Sequence, residues 1–174
     1  MERPDLTTES GRLAAIRVLN ARLPKKRLIA QGLIRSTDGD VLLCQLTYKQ
    51  AHDLPGGIVD PDESPAMAVL REIEEELGLV LEAHALRAVN WLPPYRGWDD
   101  ALLCLFDLGV HDRSLVEHPD LERREIRSVR WARPEEIPDL VAPYTARMIA
   151  AALAETPGTL YLEDGSPLDL VGGS

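Results

Sequence analysis

The segment from Ser64 to Gly78 constrains the fold of this chain more than any other, because it carries its own start and stop signals. Serine followed by proline is typical of a helix N-cap and first turn, since proline there has no N–H to leave unpaired. Gly78 is placed to adopt the left-handed conformation that ends a helix. At roughly 100° per residue, the apolar side chains fall on one side: Ala66, Val69, Leu70, Ile73 and Leu77. The segment therefore predicts a helix that packs one face against a sheet.

Three glutamates, Glu72, Glu75 and Glu76, gather on a different side of the same helix. Like charges one turn apart cost roughly a few tenths of a kcal/mol per pair, so this arc needs compensation. The simplest compensation is a divalent cation, and an all-oxygen ligand set selects a hard ion such as Mg²⁺ or Mn²⁺. Arg71, four residues before Glu75, can hold that carboxylate in one rotamer. The alternative is a solvated charged face, which most runs of charge form.

The rest of the chain indicates short strands and helices around this segment. Residues 27–35 and 41–46 are apolar runs joined by an Asp-Gly turn, which predicts a β-hairpin. Residues 53–57, with one proline and two glycines, predict a loop. Apolar runs within residues 80–91, 101–108 and 125–131 predict further strands, and the alanine-rich run 144–154 predicts a helix. This interleaving predicts an α/β chain with a mixed sheet flanked by helices.

The same pattern divides the chain into three parts. Residues 1–25 form an N-terminal extension with a short amphipathic helix. Residues 26–155 form one globular domain, since no repeat and no long linker interrupts them. Residues 156–174 form a tail that can fold as a second hairpin around Asp164-Gly165.

Composition narrows the choice of partners. The 174-residue chain has 19 Lys plus Arg against 29 Asp plus Glu, a net charge of -10, which argues against general nucleic-acid binding. The N-terminal part through Arg35 is the exception, with eight Lys or Arg against three acids, and it can serve as a partner surface or contribute to a homodimer. Cys44 and Cys104 lie inside apolar runs, which predicts buried reduced thiols. We expect a cytoplasmic protein with no membrane association, because no apolar run approaches the roughly 20 residues of a membrane span and the N-terminus does not read as a signal peptide.

From Gly57 to Leu79 the residues follow a fixed spacing. Gly57 is followed after five residues by Glu63, after seven more by Arg71-Glu72-Ile73, then by Glu75-Glu76 and by Gly78-Leu79. This stretch resembles the Nudix box of the Nudix hydrolases at every defined position. The resemblance implies the Nudix fold, an α/β/α sandwich in which the box forms a loop, a helix and a loop. It also implies hydrolysis of a nucleoside diphosphate linked to another moiety, such as an ADP-ribose-like compound or a (d)NTP, with Mg²⁺ or Mn²⁺ as cofactor.

The resemblance also implies roles for individual residues. Glu72, Glu75 and Glu76 would bind the metal, together with the main-chain carbonyl of Gly57. Arg71 would orient one of these glutamates. Gly57 can equally serve the backbone turn alone, which is compatible with a carbonyl ligand. The box carries seven acidic residues against one arginine, so substrate affinity is expected to depend on metal.

A glutamate is expected to take the proton of the attacking water. Two candidates are in the box, Glu75 and Glu76. Two others, Glu122 and Glu125, occupy a loop just before a later strand. For this second pair, an exposed charged loop with no role in catalysis is an equally good interpretation.

Residues 91–100 place two of the three tryptophans in a proline-rich loop. Tyr95, Arg96 and Trp98 can bind substrate there, because an aromatic face stacks on a base and an arginine holds a phosphate. Trp91 fits a core position better, whereas both interpretations stay open for Trp98.

Two other functions are compatible with a Nudix-like fold. A domain that senses a nucleotide without turnover often has an eroded box, and the intact box argues against it. An isomerase of a prenyl diphosphate uses a catalytic cysteine, and neither cysteine of this chain sits in such a setting. We therefore expect an enzyme acting on a small-molecule nucleotide, with the sensing domain as the alternative.

Overall fold

The computed structural model describes residues 5–154 and 157–168. Residues 1–4, 155–156 and 169–174 belong to the predicted extension, domain end and tail, and the expectations for them lie outside the described residues. The helices are α1 (Glu9–Arg22), α2 (Pro65–Leu77), α3 (Ile137–Leu140) and α4 (Pro143–Leu153). The strands are β1 (Arg27–Ser36), β2 (Val41–Leu46), β3 (His52–Asp53), β4 (Gly56–Ile58), β5 (Ala85–Leu92), β6 (Ala101–His111), β7 (Ile126–Ala132), β8 (Leu160–Glu163) and β9 (Ser166–Pro167).

The described strands form one mixed sheet in the order β3-β2-β1-β6-β5-β8-β9, with β4 paired to β1 and β7 paired to β2. β1 runs parallel to β6, and β5 runs parallel to β8. The other described pairs are antiparallel. Helix α2 covers one face, and α3 with α4 covers the other. The predicted mixed sheet between helices is therefore confirmed.

Alternate residues of the central strands supply two hydrophobic cores. Leu33 and Leu43 pack on the side of α4 with Met148, whereas Ile34 lies on the side of α2 with Ile73. All five side chains are fully buried, and each such burial contributes about 1.5–3 kcal/mol. This packing holds α2, with the glutamates of the box, above β1 and β4.

The caps of α2 are those that the sequence predicts. The Ser64 side chain accepts a hydrogen bond from the N–H of Met67 at 3.3 Å, and Pro65 is the first helical residue. Gly78 ends the helix at φ 66, a conformation that glycine adopts without a Cβ penalty.

The predicted hairpin of β1 and β2 is only partly correct. Their register contains the single pair Arg35 and Val41, next to the Asp-Gly turn. Beyond this pair the strands diverge, because β6 and β4 take the hydrogen-bonding positions along β1, while β7 and β3 take those of β2. The loop predicted at residues 53–57 is also wrong in part, since Gly56 and Gly57 pair with β1 as strand β4.

The two ends of the described chain differ in how they meet the sheet. Helix α1 has no buried residue. Strand β8 extends the sheet beside β5, and a turn at Asp164 and Gly165 returns the chain along β9.

Cys44 is buried, Cys104 is half-buried, and both are free thiols. Within the described ranges, no helix is long and apolar enough to cross a membrane.

Candidate active site

A carboxylate of α2 lies directly against the backbone of β4. Gly57 pairs with Ala30 of β1, and a Cβ atom built on Gly57 would stand 2.6 Å from the carboxylate carbon of Glu72. No side chain larger than hydrogen fits at this position unless Glu72 moves. Glycine therefore allows the Glu72 carboxylate to approach the main chain of β4.

Glu76 is the most buried glutamate of the box, with 5% of its surface exposed. Its Oε2 accepts a hydrogen bond from the N–H of Gly56 at 3.0 Å. Burial is the main cause that raises the pKa of Glu76 to about 8, and the charges of Glu72, Glu125 and Asp53 add to it against the hydrogen bond. A cation would relieve this concentration of carboxylates around a buried acid.

Arg71 connects three carboxylates of the box. Its Nε and Nη2 donate to the two oxygens of Glu63 at 2.9 and 3.1 Å, and its Nη1 lies 3.0 Å from both Glu72 Oε1 and Glu75 Oε2. These hydrogen bonds, with that of Glu63 first, raise the pKa of Arg71. Burial raises the pKa of Glu72, although Arg71 opposes that change. The pairing that the sequence predicts between Arg71 and Glu75 is present.

The three glutamates predicted on one arc do not share one environment. The Glu75 side chain is 61% exposed and pairs with Arg71, whereas Glu76 is buried and Glu72 lies against Gly57. Within the part of the chain that the structure describes, no three His, Cys, Asp or Glu side chains are grouped closely enough to hold a metal ion as they stand. Repulsion between like charges favours this separation when no cation lies between them. The donors themselves, carboxylate and main-chain oxygens, suit a hard cation such as Mg²⁺ or Mn²⁺.

The two loop glutamates differ in their relation to the box. The charge of Glu125 is a smaller contribution to the raised pKa of both Glu72 and Glu76. Glu122 accepts a hydrogen bond from the N–H of Arg124 at 3.0 Å, and its own N–H donates to the Glu76 carbonyl. Glu122 thus ties the loop to the end of α2, which leaves Glu125 as the better candidate for proton transfer.

Sequence reasoning missed a polar cluster beside Glu76. Asp53 is buried and accepts hydrogen bonds from Gln31 Nε2 at 3.1 Å and from Lys49 Nζ at 2.6 Å. The charge of Asp53 also contributes to the raised pKa of Glu76. The spacing of Lys49 and Asp53, four residues apart, and a glutamine inside an apolar strand are the signals that point to this cluster. Through Lys49, this cluster places a positive charge at the edge of the acidic site.

The residues predicted to bind substrate lie beside the first residue of β1, Arg27. Backbone hydrogen bonds of 3.0 and 2.9 Å between Tyr95 and Trp98 close a turn between β5 and β6, and these two residues are 63% and 64% exposed. The Arg27 guanidinium carbon lies 4.7 Å from the Trp98 ring centroid, and that of Arg96 lies 5.1 Å from the Tyr95 ring. Among the described residues, no hydrogen bond or ion pair joins this turn to α2. Because most of its side chain is exposed, Trp98 is not a core residue. Trp91 is half-buried in β5.

A model of the NUDIX domain matches residues 25–152 of this chain. The chain belongs to the Nudix hydrolase family. The resemblance carried by residues 57–79 is thereby confirmed, and the match extends well beyond the box.

Individual Nudix proteins resemble different lengths of the chain. The 8-oxo-dGTP diphosphatase of Haemophilus influenzae is 41% identical over 56 residues, which are 30% of this chain and 41% of that protein. The RNA pyrophosphohydrolase of Acidiphilium cryptum is 32% identical over 107 residues, 52% of this chain and 62% of the relative. Both matches span less than two thirds of the relative's own length. Among solved structures, the MutT Nudix hydrolase of Burkholderia pseudomallei aligns with a TM-score of 0.61 and 26% identity, over 76% of this chain and 100% of that one.

Proposed function

We propose that this Nudix protein is a pyrophosphohydrolase that requires Mg²⁺ or Mn²⁺ and cleaves a phosphoric anhydride bond of a nucleoside 5′-polyphosphate. The observation that carries the proposal is the pair of inward carboxylates, Glu72 against Gly57 and Glu76 hydrogen-bonded to Gly56. The names of the relatives, 8-oxo-dGTP diphosphatase and RNA pyrophosphohydrolase, support a polyphosphate substrate. An ADP-ribose-like compound, the other expectation from the sequence, is the comparison substrate in the test below.

In this proposal Glu72, Glu76 and the main chain at Gly57 hold the metal, and Glu75 joins them when it leaves Arg71. A bound divalent cation would neutralise the diphosphate and lower the pKa of a water near phosphorus. Arg71 acts as a positioning residue, because it contacts the carboxylates of the box rather than the reacting atoms. The bidentate pair of Arg71 with Glu63 fixes the orientation of the Arg71 guanidinium toward Glu72 and Glu75.

Glu125 would take the proton of the attacking water. As the water oxygen bonds to phosphorus, the bond from phosphorus to the bridging oxygen breaks, and the leaving phosphate keeps that electron pair. The exposed position of Glu125 near Glu72 and Glu76 supports this role. Glu122 is the weaker candidate, because its carboxylate already accepts a hydrogen bond within its own turn.

The nucleoside would bind at the turn between β5 and β6. The exposed rings of Trp98 and Tyr95 offer stacking faces for a base. Arg96, whose guanidinium lies over Tyr95, would hold a phosphate or sugar oxygen.

Ion-exchange chromatography of the reaction products tests the proposal directly, because cleavage of ADP-ribose gives two phosphomonoesters and no free phosphate. The purified chain is incubated with (d)NTPs, a 5′-triphosphate oligoribonucleotide and ADP-ribose, each with Mg²⁺, Mn²⁺ or EDTA. We expect metal-dependent cleavage of the 5′-polyphosphates and loss of nearly all activity in Glu76→Gln. The matched control is Glu74→Gln, an exposed glutamate of the same helix, which should keep wild-type activity. Nucleotide binding without turnover at any metal concentration would overturn the proposal in favour of the sensing domain.

A further inference from the structure

Positive charge is concentrated in one continuous part of the chain. Between Glu9 and Asp38, residues 10–37 contain seven Lys and Arg and no acidic residue. The remaining residues hold 12 of the 19 cations and all 29 acids. We call residues 10–37 the cationic segment. Such asymmetry within one small protein is typical of contact with an anionic partner.

Much of this charge is free to act on a partner. Helix α1 has no buried residue, and Arg17, Arg22 and Lys25 are exposed. None of these three forms an ion pair with another described residue. Arg22 ends the helix four residues before Lys26, a distance of at most about 14 Å along an extended chain. The exposed cations therefore lead directly to the start of β1.

At that point the cationic segment meets the turn that carries the exposed aromatic rings, which we call the aromatic turn, residues 95–98. Lys26 pairs with Asp100, and Arg27 donates to the Asp99 carbonyl at 2.8 Å while its guanidinium lies over Trp98. These contacts hold the turn and the cationic segment together as one surface. Exposed aromatic faces beside arginine and lysine are the combination that binds single-stranded nucleic acids, because bases stack on the rings and cations follow the phosphates.

The surface lies at a useful distance from the candidate active site. Arg27 precedes Ala30 by three residues on β1, and Ala30 pairs with Gly57. At the rise of a β-strand this separation is about 10 Å. If its 5′-phosphates point along β1, a first nucleoside stacked on Trp98 brings them toward the box.

A membrane or a second copy of this chain fits the surface less well. On the helical wheel of α1, Arg12 falls within the stripe formed by Leu13, Ile16, Leu19 and Leu23, so the helix lacks the continuous apolar face that lipid binding needs. RNA chains are begun without a primer and keep a 5′-triphosphate, so RNA also supplies the reactive group that the proposed function needs.

We propose that the cationic segment and the aromatic turn form a docking surface for single-stranded RNA, which presents its 5′-polyphosphate end to the glutamates of the box. The hydrolytic part of this inference rests on the proposed function, whereas the docking part does not. The net charge of the whole chain argues against general nucleic-acid binding, and it is the local charge that permits this restricted form.

Fluorescence anisotropy of the full chain with a short 5′-hydroxyl oligoribonucleotide, in EDTA and at stepped NaCl, tests docking without hydrolysis. We expect binding that weakens with salt. Arg17→Glu/Arg22→Glu/Lys25→Glu should lower affinity at least about tenfold and reduce the salt slope by about 2, because each phosphate contact contributes about 0.7 on a single strand. Trp98→Ala should lower affinity by about tenfold with an unchanged slope, since stacking releases no counterions. Arg133→Glu, an exposed cation outside the segment, is the control and should change neither value.

The outcomes separate docking from catalysis. If the wild type hydrolyses NTPs but does not bind the oligonucleotide at low salt, docking is overturned and the proposed function stands. If it binds the oligonucleotide but hydrolyses no polyphosphate with metal, docking stands and the proposed function fails. The assignment to RNA would be overturned if the protein bound the matching oligodeoxynucleotide much more tightly than the oligoribonucleotide. It would also be overturned if the protein bound only anionic vesicles or only associated with other copies of itself. With a 5′-triphosphate oligonucleotide, the triple variant should lose much more kcat/KM than it loses with ATP. Unfolding curves of each variant confirm that a loss of binding is not a loss of fold.

Discussion

The buried carboxylate of Glu76 makes a stability prediction that needs no substrate. The pKa of Glu76 is raised from 4.5 to about 8, mainly by burial. Between these values the folded state binds more protons than the unfolded state, so stability falls as pH rises through this window. At pH 7 this linkage amounts to about 3 kcal/mol of destabilisation, because pH 7 lies 2.5 pH units above 4.5 and each unit contributes about 1.4 kcal/mol. The metal-free wild type should thus be less stable at pH 7 than at pH 5 by about 2–3 kcal/mol, because part of the contribution is already present at pH 5.

Replacing Glu76 with glutamine removes the ionisation and keeps the shape. The glutamine carbonyl can still accept the hydrogen bond from the Gly56 N–H. Metal-free Glu76→Gln should therefore exceed the wild type in stability at pH 7 by up to about 3 kcal/mol, a Tm increase of about 6–12 °C for a chain of this size. The advantage should nearly disappear at pH 4.5. Mg²⁺ should reverse the order, because it stabilises the wild type by binding the folded state and loses a ligand in the variant.

Thermal and urea unfolding in EDTA and in Mg²⁺, at pH 4.5, 7 and 8, measures both effects. Glu74→Gln is the control, because Glu74 is exposed on the same helix and should show neither effect. A metal-free Glu76→Gln protein that is less stable than the wild type at pH 7 would refute the reasoning. So would a stability difference that does not change with pH, because linkage requires the difference to follow ionisation.

Four further substitutions probe the rest of the candidate site. Gly57→Ala should lower kcat on the order of 100-fold with little change in unfolding, because its Cβ would displace Glu72; wild-type kcat would contradict this. Glu125→Gln should lower kcat by about 10²–10⁴-fold and Glu122→Gln by much less, and equal losses would remove the distinction between them. Arg71→Met should lower the metal-free unfolding free energy by on the order of 1–2 kcal/mol, since three carboxylates lose their partner, and a urea titration that finds no change would contradict it.

The features that could be predicted from the sequence are those that depend on neighbours within a few residues. Helix α2 begins and ends where Ser64 and Gly78 indicate, because caps are local. The pairing of Arg71 with Glu75 follows from one helical turn. The family pattern of the box then supplies the fold around it.

What the sequence could not predict depends on distant contacts. Periodicity places Glu75 and Glu76 roughly 100° apart on α2, but it does not show which of them is covered. Glu76 is buried and Glu75 is exposed, because β4 and the loop that carries Glu125 pack around only one of them. The divergence of β1 from β2 has the same origin, since β6 is far along the chain from both. Asp53 also belongs to this group, because Gln31, which binds it, lies two strands away.

The charge distribution suggests how a small acidic protein can act on a polyanion. If cations lined the reactive end, the substrate would bind there without metal; instead that end is acidic, and the cations lie about 10 Å away along β1. In EDTA, a 5′-triphosphate oligoribonucleotide should therefore bind no more tightly than its 5′-hydroxyl counterpart, because the glutamates repel the extra charge. Mg²⁺ should reverse this order. Anisotropy with Glu125→Gln, which slows turnover, measures both cases, and tighter binding of the triphosphate in EDTA would contradict the argument.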